Sequence, residues 1–126
     1  MSTNPSAEKK PAVQSGSICY SATPAVGVVL EWADGKRVLA LPTMLLASAE
    51  WSIDATPGTP PREQVRCEWG SWSLTLVGHG LRSVPAELTR GQILGIIQVP
   101  KDKAEAARGS VVIHIDAVMK EEGGDA

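Results

Sequence analysis

Reactive side chains in suggestive spacing are few in this chain of 126 residues. His79 stands between Gly78 and Gly80, where an imidazole held in the open could act as an acid–base group. The same three residues also read as a tight turn with a solvated tip. His114 and Asp116 lie two apart, on one face of any strand that carries them, the spacing of a base and the carboxylate that orients it. With no nucleophile motif near them, they read equally as surface residues. Cys19 and Cys67 are the only cysteines. Each sits in a strand-like run without a second ligand at metal spacing, which predicts two buried thiols rather than a disulfide or a metal site.

The usual chemical signatures are missing from the sequence. There is no Cys-x-x-Cys, no His-x-x-x-His, no G-x-S-x-G elbow, no phosphate-binding G-x-x-x-x-G-K-[ST] and no G-x-G-x-x-G. The expectation is therefore a protein that is not an enzyme and holds neither cofactor nor metal.

Four tryptophans and no phenylalanine make the aromatic rings the most suggestive feature. Trp faces stack sugars and bases in many binding proteins and dominate interface hot spots. The candidate binding residues are Trp69 and Trp72, with Arg66 and His79 beside them in sequence. The plainer role for these rings is in the core or as hairpin braces.

Two hairpins must position them. In "VGVVLEWADGKRVLAL", Asp34-Gly35 predicts a two-residue type I′ turn, with Leu30 opposite Leu39, Val28 opposite Leu41 and Trp32 opposite Arg37 on one face. Arg37 is then able to lie over the Trp32 ring. The other face, with Val29, Ala40, Glu31 and Val38, is mixed, and the hairpin is expected to be covered on both sides. In "VRCEWGSWSLTL", Gly70-Ser71 pairs Trp69 with Trp72, Cys67 with Leu74 and Val65 with Leu76 on one apolar face. A one-residue slip would turn all of them to water, so the register is strongly specified. A simple meander would bring Trp32 to Trp51 and leave Trp69 and Trp72 as a separate pair.

The remaining segments are weaker. Pro42 ends a strand, and "TMLLAS" predicts one helical turn capped by Thr43 before "SAEWSID" extends again. "ATPGTPPRE" reads as an exposed loop, and Gly78-His79-Gly80 as a turn. A single helical turn follows, with Pro85 near its start and Gly91 at its end. "ILGIIQV" is a strand in which Gly95 signals a bulge or close backbone approach. "PKDKAEAARG" fits a short helix with Asp102 and Glu105 in capping-box spacing, and "SVVIHIDAVM" is the last strand.

Composition bounds the rest. With 12 basic and 14 acidic residues, a formal charge of −2, the chain lacks the basic field that neutralising phosphates requires. Nucleic acid is thus an unlikely partner. No apolar run resembles a signal peptide or a spanning helix, so the expected location is cytoplasmic, away from membranes. Residues 1–15 and 120–126 read as disordered tails around one β domain, 16–119. The expected fold is all-β, with about six to eight mainly antiparallel strands and one or two short helices. It is either a small barrel of SH3-like or OB-like build, the favoured form, or a two-layer sandwich. The expected function is a non-catalytic protein-interaction or assembly module, self-associating as a homo-oligomer through a strand edge or the Trp69/Trp72 face. The alternative is a small barrel that binds single-stranded nucleic acid or oligosaccharide through Trp and Arg side chains.

Overall fold

In the computed structural model of the protein, residues 13–54, 57–58, 62–104 and 109–120 are described. They form nine strands, β1 (Val13–Ser15), β2 (Ile18–Tyr20), β3 (Gly27–Glu31), β4 (Val38–Pro42), β5 (Leu46–Asp54), β6 (Arg62–Trp69), β7 (Trp72–His79), β8 (Ile93–Ile97) and β9 (Val111–Met119). One helix, α1 (Val84–Thr89), and 3₁₀ turns at Thr43–Leu45 and Lys101–Lys103 complete the described structure. The strands build two sheets, in the orders β1-β2-β8-β3-β4 and β5-β6-β7-β9. The fold is an all-β sandwich, and the closed barrel favoured from the sequence does not form. All neighbouring strands are antiparallel except β3 and β8.

Both hairpins pair in the expected register. Val28 faces Leu41 and Leu30 faces Leu39 in the first. Val65 faces Leu76, Cys67 faces Leu74 and Trp69 faces Trp72 in the second. The first turn closes differently from expectation. Trp32 C=O accepts from Gly35 N–H at 3.0 Å, so Ala33 and Asp34 are the central residues. Gly35, at φ 73°, follows them in the fourth position that such turns favour for glycine. The Asp34 carboxylate accepts from Lys36 N–H at 2.8 Å and steadies the loop.

The apolar faces of the hairpins and the central strand β8 meet between the sheets. Val28, Leu30, Val65, Trp69, Leu74, Leu76, Ile93 and Ile96 are all buried. Burying the apolar faces of both sheets against each other drives this arrangement, at roughly 1.5–3 kcal/mol per large side chain. Gly95 lies at the crowded centre of the first sheet, where a Cβ would sit 3.3 Å from the Val29 carbonyl oxygen. The close approach read from its sequence is real.

Several local expectations are corrected. Val13–Ser15 pair with β2, so part of the expected N-terminal tail is a strand. Lys120, assigned to the C-terminal tail, bonds Glu68 at 2.7 Å. Residues 1–12 and 121–126 lie outside the described residues. Gly78 and His79 belong to β7 rather than to a turn, because the strand runs on past a register shift at Val77/Gly78. Thr43 opens its 3₁₀ turn without capping it, that position being Pro42. Asp102 sits inside a 3₁₀ turn preceded by Pro100, whereas Glu105, its expected capping-box partner, lies outside the described residues. The same holds for much of the loop expected at 55–63, whose last two residues, Arg62 and Glu63, begin β6.

Candidate functional site

The candidate residues do not converge. Trp69 is 1% exposed, its indole N–H donating to the Pro42 carbonyl at 2.6 Å, so no partner reaches it in the folded chain. Trp72 is half-buried at the rim of the same face. Arg66 is exposed on the opposite face of β6, opposite Glu50 of β5 and Thr75 of β7. His79 is exposed at the far end of β7. Strand alternation turns Trp69 and Arg66, three residues apart, to opposite sides of one sheet.

The tryptophans brace the sandwich. Arg37 lies over the Trp32 ring at 4.3 Å, as its cross-strand position predicts, and 6.0 Å from the Trp72 ring centre. Trp32 therefore neighbours Trp72 through Arg37, not Trp51. The meander failed as a guide because the chain crosses to the second sheet between β4 and β5. Trp51 instead donates to Glu63 at 2.9 Å under the Arg82 guanidinium, 5.3 Å from its ring.

Glu63 is the most heavily bonded carboxylate of the described residues. Besides Trp51, it accepts from Leu81 N–H at 2.8 Å and Gly80 N–H at 2.9 Å. Partial burial alone would raise its pKa. The Trp51 and backbone bonds, with His79 nearby, outweigh burial and hold it below its ordinary value. The carboxylate thereby ties the β7–α1 connection, through Gly80 and Leu81, to Trp51 of β5, which gives this group a structural task. His114 and Asp116 are both exposed on β9, and no hydrogen bond between them is found among the described residues. Cys19 and Cys67 are free, and burial pushes the Cys67 thiol up to about 12. Among the described residues no three His, Cys, Asp or Glu side chains converge as a metal site would require.

What the fold leaves incomplete is an edge. On β9 the carbonyls of Ile113, Ile115 and Ala117 accept from the side chains of Gln98, Trp32 and Arg37 at 2.9, 3.1 and 3.4 Å. The outer edge of the second sheet is thus stapled to the first. β5, its other outer strand, has α1 packed against it.

β4 has no such cover among the described residues. Trp32 N–H bonds Arg37 C=O at 3.1 Å on one side of β3, and Gln98 N–H bonds Glu31 C=O at 2.9 Å on the other. Antiparallel alternation then aims the backbone groups of Leu39 and Leu41 at β3 and those of Val38 and Ala40 outward. Pro42 shares the outward side, has no N–H, and gives its carbonyl to Trp69. The edge therefore presents the N–H and C=O of Val38 and of Ala40.

The outer face beside this edge is uncovered among the described residues, against the expectation that the hairpin is covered on both sides, and is apolar apart from Glu31, which stands opposite Val38. Val26 is 90% exposed and Val38 62%. A shallow hollow of about 400 Å³ runs between β3 and β4, lined by Val26, Val29, Ala40, Pro42 and Leu94. Sequence reasoning placed Val38 and Ala40 on one mixed face but could not identify β4 as a sheet edge. That depends on β8 inserting on the far side of β3.

No family model, curated protein or solved structure matches the chain.

Proposed function

We propose that the protein is a non-catalytic assembly module that self-associates through the β4 edge. The carrying observation is the outward-facing pair Val38 and Ala40, flanked by exposed apolar side chains. Natural sheets guard such edges with charge, bulges or cover, because an open edge templates another strand. Here β9 and β5 carry such cover, whereas β4 is short, is guarded by Pro42 at its end and carries an apolar flank beside Val38 and Ala40.

A second copy is the complementary occupant. Around a two-fold axis at Leu39, Val38 of one copy faces Ala40 of the other. Each copy then donates twice and accepts twice, and the two first sheets become one. Pro42 limits the pairing to this short centre, since its missing N–H cannot extend the ladder. Two five-residue strands make an interface at the small end of the known range, so assembly depends on concentration. The free thiols of Cys19 and Cys67 fit the reducing cytoplasm as its location.

Sedimentation velocity over a range of protein concentrations tests this reading. The wild-type chain should shift from monomer to dimer as concentration rises, and Val38→Lys, a charge set on an exposed site, should stay monomeric with an unchanged melting temperature. A wild-type chain that stays monomeric throughout would refute self-association. A dimer untouched by Val38→Lys would move the interface elsewhere.

A further inference from the structure

A second feature, far from β4, is a cleft of about 310 Å³ lined by Arg62, Val77, Lys101, Ile113 and His114. It is built by an irregularity in the sheet. Val77 of β7 faces His114 of β9 while the next residue, Gly78, faces Val112, which leaves Ile113 as an extra residue between them. Bulges of this kind re-aim side chains and recur beside binding sites. This one depends on Gly78, where a Cβ would lie 1.8 Å from the Val111 carbonyl oxygen, a space only glycine leaves open. The bulged Ile113 carbonyl is held by the Gln98 amide at 2.9 Å.

Three elements bring nitrogen donors to this cleft: Arg62 at the start of β6, Lys101 on the 3₁₀ turn after Pro100, and His114 on β9. Among the residues whose side chains are described, none of the three has an ion-pair partner and no carboxylate lines the cleft. The nearest acids in the chain pattern are Asp54, which pairs with Arg62 across β5 and β6, Asp102, beside Lys101, and Asp116, two residues beyond His114; Glu63, next to Arg62, is turned to Gly80 and Leu81. Three nitrogen donors lining one cleft favour an anion. Arg offers a planar fork to a carboxylate or phosphate, Lys a point charge and imidazole an N–H. Val77 and Ile113, both half-buried, supply an apolar floor.

We propose that this cleft binds a small organic anion, its charged group held by Arg62, Lys101 and His114 and its apolar body resting on Val77 and Ile113. The volume falls at the lower end of small-molecule sites. The proposal is independent of self-association, because the residues involved are not those of β4.

The test is a ¹H–¹⁵N NMR titration of the full chain with phenyl phosphate, with inorganic phosphate, sodium chloride and benzyl alcohol as separate arms. Phenyl phosphate should give saturable shifts centred on Val77, Ile113 and His114, with a Kd of roughly 1 mM or below. Inorganic phosphate should bind several-fold more weakly, and benzyl alcohol should not saturate. Arg62→Gln and Lys101→Gln, both at exposed positions, should each weaken phenyl phosphate about tenfold while leaving the spectrum folded. Shifts that chloride reproduces, equal binding of the neutral alcohol or of inorganic phosphate, or affinities unchanged in both variants would overturn it.

Discussion

The Trp32 indole donates to the Ile115 carbonyl at 3.1 Å, joining the hairpin of one sheet to the edge strand of the other. Arg37, stacked on that indole, reaches the Ala117 carbonyl, and Gln98 reaches Ile113. Three side chains from the first sheet thus occupy acceptors that a foreign strand would otherwise use. Blocking β9 in this way sets it apart from β4, whose outward groups at Val38 and Ala40 are uncovered among the described residues and carry the proposal of self-association.

Replacing Trp32 by Phe keeps most of the apolar surface and removes the donor. The Ile115 carbonyl then loses its partner, at a cost of roughly 1–2 kcal/mol in folding stability. Urea denaturation measures this. An unchanged midpoint would mean that the staple contributes nothing.

Gly78→Ala should be among the most damaging single-methyl changes in the chain. Its Cβ would enter the Val111 carbonyl at 1.8 Å, backbone against backbone, whereas at Gly95 the closest contact is 3.3 Å. Gly78→Ala is expected to lose about 3 kcal/mol or more, or to fail to fold, and Gly95→Ala to lose less. Thermal unfolding of the two variants side by side decides the order.

Glu63 makes stability depend on acid. Its folded pKa lies below its ordinary 4.5, with the Trp51, Leu81 and Gly80 bonds and nearby His79 overcoming the opposing effect of burial. The stabilisation is therefore present above pH 4.5 and is lost as pH falls through the lowered folded value. Denaturation midpoints of wild type and Glu63→Gln, followed downward from pH 6, should converge in acid. Parallel curves would contradict the assignment.

Cys67 acts at the other end of the scale. Burial raises its thiol from 9.0 to about 12, with Glu68 adding to the effect. Between these values the unfolded chain releases a proton that the folded chain keeps, so stability falls as pH rises above 9.0. At pH 8 a thiol reagent should modify Cys67 only after unfolding, while half-exposed Cys19 reacts in the folded protein. Equal rates at both sites would count against the buried position.

The two hairpins were legible in the sequence because alternation specifies register: Val65, Cys67 and Trp69 can only share a face opposite Leu76, Leu74 and Trp72. Their assembly was not. β8 inserts between β2 and β3 and pairs parallel to β3, a contact made by residues more than 60 positions apart that no local pattern announces. The tryptophans' bracing role was legible, but which of them would be buried and which would meet was not, for a related reason. An indole serves a core or a surface equally well, and only the position of its N–H acceptor decides, as Pro42 does for Trp69. The bulge at Ile113 was hidden because Gly78 reads as a turn residue when the strand passing behind it is unknown.

The amides of Val38 and Ala40 report most directly on the β4 edge. Their hydrogen exchange, measured residue by residue at low and high protein concentration, should be fast when dilute and should slow together as copies pair, while Leu39 and Leu41 stay protected throughout. Fast exchange of Val38 and Ala40 at every concentration would contradict self-association through this strand.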